Sequence, residues 1–269
     1  MLSIKTRAIA TYMKIDFYKY QGTGNDFIMI DGRDLKVNLS IEIIQKLCDR
    51  RFGIGADGLI VVQPHAKYDF EMVYYNADGS QSFCGNGSRC AQAFAKKIGL
   101  IEDNSHFLAI DGVHYGELRG ELFATKMSAV SKVEKKGEDY LINTGSPHYI
   151  RYESNVDNVD VFKEGRSIRN SDEFIKEGVN VNFVSEIGGK LKVRTYERGV
   201  EAETFSCGTG VTAAAISYVE KSGSTSNSID IITKGGNLAI ELSPKTAGSY
   251  QDIWLVGPAV MVFKGEVLL

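Results

Sequence analysis

Proline is scarce in this chain of 269 residues, with four against 28 glycines, a balance that suits many short strands joined by glycine turns. A long hydrophobic run is missing: no segment approaches the roughly 18–20 apolar residues of a membrane-spanning helix, so no membrane partner is expected. Charge of one sign is missing too. Thirty-one basic and 34 acidic side chains leave a net −3, which gives no footprint for phosphate backbones, and nucleic acid is not an expected partner. The four cysteines, Cys48, Cys84, Cys90 and Cys207, lack C-x-x-C spacing, and the four histidines, at 65, 106, 114 and 148, lack paired ligand spacing. Neither a disulfide framework nor a metal site is therefore expected. The apolar part of the N-terminal stretch is only Ala8 to Ala10, too short for a secretory signal, so a cytoplasmic location is expected, with residues 1–13 as an extension. No nicotinamide, flavin or pyridoxal motif stands out, and no cofactor is expected.

What is present is a repeated arrangement. SFCGNGSRCAQAFA, from Ser82, and SCGTGVTAAA, from Ser206, each place a Cys-Gly-x-Gly turn before an alanine-rich run, about 120 positions apart. Between and around them lie strand-like runs at 26–31, 58–63, 69–76, 106–111, 190–197, 228–233, 237–242 and 252–257, several alternating polar with apolar. Helices are predicted over 41–53, capped by Ser40 and stopped by Gly53; over 171–178; over 88–98, with Cys90, Phe94 and Ile98 in one row; and over 211–221, with Val211, Ala215 and Val219 in another. Small residues on several sides of the last two imply helices enclosed by sheet. The expected fold class is α/β of the α+β type: two pseudo-symmetric halves, each a curved, mostly antiparallel sheet around a central helix, with a cleft between. The first half is expected over 14–130, joined by the strand 258–269, and the second over 131–257. The charged stretch 131–140 is expected to be a solvated turn between them.

A Gly-x-Gly segment feeding a helix leaves backbone N–H groups free, with the positive end of the helix dipole behind them. Such a place attracts a carboxylate. A cysteine at its edge is expected to ionise more easily, its pKa falling from about 8.5 toward neutrality. A single such cysteine is as well explained by packing; two copies, each at a helix start, are not. A matched pair of thiols around one carbon suits removal of a proton from one face and delivery to the other, which is racemase or epimerase chemistry.

The segments GTGNDFIMID (22–31), RFGIGADGLIVV (51–62), YNADGSQSFCGNGSRC (75–90), GSPH (145–148), NVNF (180–183), YERGVEAETFSCGTG (196–210) and GPAV (257–260) resemble those of the diaminopimelate epimerase family, from about residue 14 to the C-terminus. The resemblance implies a cofactor-independent isomerase that converts LL- to meso-diaminopimelate for lysine and peptidoglycan synthesis, acting as a homodimer. It implies that Cys84 and Cys207 are the acid/base pair and that Gly85, Asn86, Gly208 and Thr209 hold the reacting carboxylate. It further implies that Asn25, Asn76, Asn180 and Arg198 bind other amino-acid groups of the substrate, and that Glu197 and His148 lie near the reacting amine. Two positions depart from the family's pattern: Gly58 stands where many relatives have glutamine, and Ser146 where they have asparagine. Proline racemases also pair cysteines, but the cluster of Asn25, Asn76, Asn180 and Arg198 would be surplus to a substrate with one carboxylate. Phenazine-biosynthesis isomerases lack the pair.

Overall fold

The computed structural model describes residues 14–33, 35, 38–246 and 248–269, so the expected extension 1–13 lies outside the described residues. The chain runs β1 (Lys14–Gly22), β2 (Asn25–Asp31), α1 (Ile41–Cys48), β3 (Gly58–Gln63), β4 (Phe70–Asn76), α2 (Gly85–Lys97), β5 (Asn104–Ala109), β6 (Gly112–Arg119) and β7 (Leu122–Lys126). It continues through β8 (Val133–Lys136), β9 (Asp139–Asn143), β10 (Pro147–Tyr152), α3 (Val161–Arg169), β11 (Asn180–Ile187), β12 (Lys190–Glu197) and β13 (Ala202–Thr204). It ends with α4 (Gly208–Ser222), β14 (Ser228–Thr233), β15 (Gly236–Thr246), β16 (Ser249–Gly257) and β17 (Val260–Leu268). No helix among the described residues is long and apolar enough to cross a membrane.

The strand pairings repeat. In the first half β17, β1 and β2 pair antiparallel in turn, β2 pairs parallel to β3, β3 antiparallel to β4, β4 parallel to β5, and β5, β6 and β7 antiparallel. In the second half β8, β9 and β10 pair antiparallel, β10 parallel to β11, β11 antiparallel to β12, β12 parallel to β14, and β14, β15 and β16 antiparallel. The two sets follow one order, and β7 pairs antiparallel with β16 to join them. The molecule is thus two pseudo-symmetric halves, and each parallel step is bridged by a helix, as parallel strands require.

Period-2 alternation decides what each helix meets. In β2, Phe27 and Met29 face α2, where they pack with Cys90, Ala91, Phe94 and Ala95; Ile28 and Ile30 face the other way and pack with Ile44 and Leu47 of α1. In the second half, Val211 and Ala213 to Ile216 of α4 pack against Ile150, Val193, Ile231 and Ile240, while Val161 of α3 covers Val181, Phe183 and Tyr196 on the opposite face. Phe94 is fully buried, and burial of such a side chain contributes about 1.5–3 kcal/mol.

Several expectations need correction. The helix expected over 41–53 ends at Cys48, because Asp49 turns to an extended conformation and its carboxylate accepts from the backbone N–H groups of Arg51 and Phe52, each at 2.7 Å. No helix forms over 171–178, which is a series of turns; the helix lies just before it, at 161–169, capped by Asp160. Its central Gly165 weakens the sequence signal, yet a methyl there would lie 2.4 Å from Tyr196 Cβ. The stretch 131–140 holds the edge strand β8 and the start of β9 rather than a turn alone. The strand expected to reach 111 stops at Ala109.

Candidate active site

Cys84 and Cys207 are the N-cap residues of α2 and α4, both in extended conformation, with φ −134° and −121°. The helices therefore begin at Gly85 and Gly208, three residues before the apolar rows suggested. The reason for glycine is proximity. A methyl on Gly208 would lie 2.8 Å from Leu255 Cδ2, and one on Gly85 would lie 3.0 Å from the same atom. The two helix starts thus converge above Leu255, and their free N–H groups and dipole ends face one place. Both cysteines, with Gly85, Asn86, Gly208 and Thr209, line one cleft of about 1230 Å³.

Around Cys84, Gly87 N donates to the sulfur at 3.4 Å, and Asn25 Oδ1 lies 3.5 Å away. The Asn25 amide is oriented by its other end, where Nδ2 donates to Asp57 Oδ2 at 2.7 Å. Asp57 also accepts from Arg50, which pairs with Asp26 as well. Burial works against charge on Asp26, but Arg50 and Lys19 hold its carboxyl down at about 2. Asn76, on the same cleft wall, accepts from Tyr74 Oη at 2.9 Å and donates to Ser80 Oγ and Ser82 Oγ at 3.0 and 3.2 Å. The Asn86 side chain is buried and committed to the protein. It donates to Ser206 Oγ at 3.0 Å and accepts from the fully buried Arg89 at 2.9 Å. Ser206 in turn bonds Thr23 Oγ1 at 2.7 Å, so this network ties the two helix starts together and leaves backbone N–H groups for a ligand.

On the other side, Glu197 ends β12, Arg198 follows it, and both line the cleft. A second cavity of about 330 Å³ shares Glu197, Arg198, Cys207 and Thr209 with it and adds Asn180 and Ser146. Arg198 donates to Glu177 O at 2.8 Å and to Ser146 Oγ at 3.4 Å, and Asn180 donates to Ser146 Oγ at 2.9 Å while accepting from Arg198 N at 2.9 Å. His148 is fully buried and stands on the wall of neither cavity; its Nε2 lies 2.9 Å from Thr209 Oγ1, behind the site.

Burial sets the electrostatics. It pushes the Cys84 thiol up to about 11, against the pull of Gly87 and Asn86 N–H groups, and a charged Glu197 adds to the rise. It pushes Cys207 up as well, again aided by Glu197 and opposed by Thr209. The expectation that the helix ends would lower both thiols is therefore corrected: desolvation outweighs them. Burial, then the negative Asp57, raises Glu197. Burial and the positive Arg198 push His148 down to about 3, so it is neutral.

Of the residues singled out from sequence, Cys84, Cys207, Gly85, Asn86, Gly208, Thr209, Asn25, Asn76, Glu197 and Arg198 line the larger cleft, Asn180 lines the smaller cavity alone, and His148 lies behind them. Asp57, Tyr74 and Ser206 were not singled out, and Ser146 was named only as a departure from the family's pattern. Asp57 is adjacent to the glycine turn of GIGAD and Ser206 precedes the second cysteine, but no local pattern marks either as a partner of an asparagine 32 or 120 positions away. At Gly58 a Cβ would meet Tyr75 O and Tyr74 Cε2, each at 2.5 Å, so this backbone has no room for a glutamine.

A family profile described as Diaminopimelate epimerase matches residues 17–113 and 140–262. Among curated proteins, the chain is 47% identical over 254 residues to the diaminopimelate epimerase of Flavobacterium psychrophilum, covering 93% of this chain and 99% of that protein. It is 37% identical over 276 residues to that of Aquifex aeolicus, covering 94% and 98%. Among solved structures, a phenazine biosynthesis protein of the PhzF family from Bacillus anthracis aligns with a TM-score of 0.74 at 14% identity, covering 96% of this chain and all of that one. A hydroxyproline epimerase from Agrobacterium vitis with bound trans-4-OH-L-proline aligns at 0.68 and 13%, covering 95% and 93%. These last two share the fold.

Proposed function

The chain belongs to the diaminopimelate epimerase family and is an isomerase that converts LL- to meso-diaminopimelate, and from that premise we propose that Cys84 and Cys207 are the acid and base of a cofactor-independent transfer at one carbon. The substrate's reacting carboxylate sits over the converging helix starts, on N–H groups of Gly85, Asn86, Gly208 and Thr209. One sulfur, as thiolate, takes the α-hydrogen; the electron pair left on carbon spreads into the carboxylate, where the helix ends oppose it. The other sulfur, as thiol, gives its proton to the opposite face, and the two roles exchange in the reverse direction. Burial favours neutral thiols, and the substrate's ammonium, arriving beside Glu197, favours the thiolate. Asn25 faces the Cys84 end. Asn76, Asn180 and Arg198, with Ser146 in place of an amide, hold the distal amino-acid group. His148 supports Thr209 from behind.

The observation that carries this assignment is the pair of N-cap cysteines on one cleft, at helix starts close enough that a methyl on Gly208 would lie 3.6 Å from Gly85 Cα. The test is incubation of the reduced protein with LL-diaminopimelate in heavy water, with chiral separation and mass measurement. Meso product carrying one solvent deuterium at one carbon is expected; product without deuterium would overturn two-base exchange.

We assign residues 14–130 with 258–269 to one unit and 131–257 to the other, supported by the repeated strand order. A cytoplasmic setting suits two catalytic thiols, which an oxidising compartment would join. The product serves lysine and peptidoglycan synthesis. The working form is a homodimer: Val260, Met261, Val262 and Phe263 are exposed on the edge strand β17, a patch of the kind that association covers. Sedimentation at micromolar concentration is expected to give twice the chain mass.

A further inference from the structure

Behind Cys207 runs a line of buried side chains whose hydrogen bonds have a fixed direction. The carbonyl of Tyr149 can only accept, which assigns the Asn182 amide, whose oxygen accepts from Thr195 Oγ1 at 2.9 Å. The amide nitrogen faces the other way and donates to Tyr149 O at 3.2 Å and to His148 Nδ1 at 3.1 Å. An Nδ1 that accepts leaves the ring's single proton on Nε2, 2.9 Å from Thr209 Oγ1. Thr209 accepts that bond, so its own proton is available to Cys207 Sγ, 3.5 Å away. Asn182, His148 and Thr195 are buried. Asn182 reaches this position only because α4 has Gly210 above it, where a methyl would lie 2.4 Å from the amide oxygen.

The direction is not reversed by ordinary changes of pH, since His148 stays neutral down to about 3. The charged and titratable groups facing the line are few. Glu197 of β12 and Cys84 across the cleft face Cys207, and Arg198 faces His148. Cys84 lacks an equivalent: its hydrogen-bond neighbours are the backbone N–H groups of Gly87 and Asn86 and the oxygen of Asn25, with no hydroxyl donor among the described residues.

We propose that Asn182 is a positioning residue for proton transfer at Cys207, locking His148 in the Nε2–H tautomer so that Thr209 presents its hydroxyl proton to the sulfur. This rests on Cys207 being one of the acid/base pair, as argued above. It makes the two thiols chemically unequal: the thiolate at Cys207 gains a donor that depends on a residue not touching substrate.

The test is the pH dependence of iodoacetamide alkylation at each cysteine of the full chain, read by peptide mass. Nitrogen shifts of His148, assigned with His148→Gln, report the tautomer. Asn182→Asp keeps the shape but accepts from both Thr195 and His148, so the ring proton moves to Nδ1 and Thr209 turns its hydroxyl toward Nε2. The midpoint for Cys207 is expected to rise by about one pH unit, a tenfold slower reaction at fixed lower pH, with Cys84 unchanged. Thr209→Val should give the same shift without a tautomer change, and Thr209→Ser should restore the wild-type profile, so the last link is read even where Asn182→Asp folds poorly. A Cys207 profile unmoved by Thr209→Val, or both cysteines shifting together, overturns the proposal. Shielding of wild-type Cys207 by LL-diaminopimelate checks the underlying assignment separately: lost shielding removes Cys207 from the reaction, whereas intact shielding with an unmoved profile removes only the relay.

Discussion

Gly208 stands so close to Gly85 that a methyl on the former would lie 3.6 Å from the Cα of the latter, bringing the first turns of α4 and α2 into backbone contact. Gly208→Ala would also place its methyl 2.8 Å from Leu255 Cδ2. Overpacking of this kind costs about 1–3 kcal/mol and forces the helix starts apart. Turnover is expected to fall by more than stability alone explains, measured by kcat beside urea unfolding. Leu255→Val in the same chain should recover part of both.

Cys84→Ser and Cys207→Ser, made singly, are each expected to lower kcat by about 10²–10⁴-fold, because a hydroxyl is too weak an acid to replace a thiol. Diaminopimelate should still bind, as calorimetry would show. Full turnover in either variant would remove that cysteine from the reaction.

Mild oxidation of the ligand-free protein is expected to join Cys84 to Cys207 and abolish turnover, with recovery in dithiothreitol. Peptide mapping should find the two cysteines linked. Activity indifferent to oxidant would count against facing sulfurs.

Asp57→Asn removes the carboxylate that accepts from Asn25 Nδ2 at 2.7 Å. The Asn25 amide is then free to turn, and kcat/KM should fall about tenfold, the cost of one charge-assisted bond.

His148 is held neutral, its folded pKa near 3 against an ordinary 6.5. The folded state therefore binds fewer protons than the unfolded chain between those values. Its contribution is full above about 6.5 and is lost as pH falls toward 3, at up to about 1.4 kcal/mol per pH unit. Urea unfolding at pH 7 and pH 4.5 is expected to show a steeper loss for the wild type than for His148→Gln.

The parts of this molecule that were legible in sequence are those written in adjacent residues. The two cysteine turns, the alternation in 70–76 and the strands at 190–197 and 228–233 follow from local pattern, and the structure has them at those places. The helix over 161–169 was not legible, because Gly165 interrupts its row and its packing against Tyr196 comes from another strand. The direction of the thiol shifts was not legible either. A Gly-x-Gly turn reports free N–H groups, but desolvation belongs to the whole cleft, and it is the larger effect at both sulfurs. Asp57 beside Asn25 and Asn182 beside His148 are contacts across strands, invisible to spacing along the chain.

The seam between β7 and β16 sets Trp254 opposite Lys126, Leu255 opposite Thr125, Val256 opposite Ala124 and Gly257 opposite Phe123. Equivalent strands running antiparallel are what a rotation by half a turn produces, so an approximate dyad passes through that seam, beside the leucine on which both helix starts rest. A carbon placed on such an axis is approached from its two sides by the same kind of atom. Under the proposed exchange, inversion of handedness needs no tumbling of the molecule being changed: the left and right hands of the reaction are already built into the scaffold that holds it.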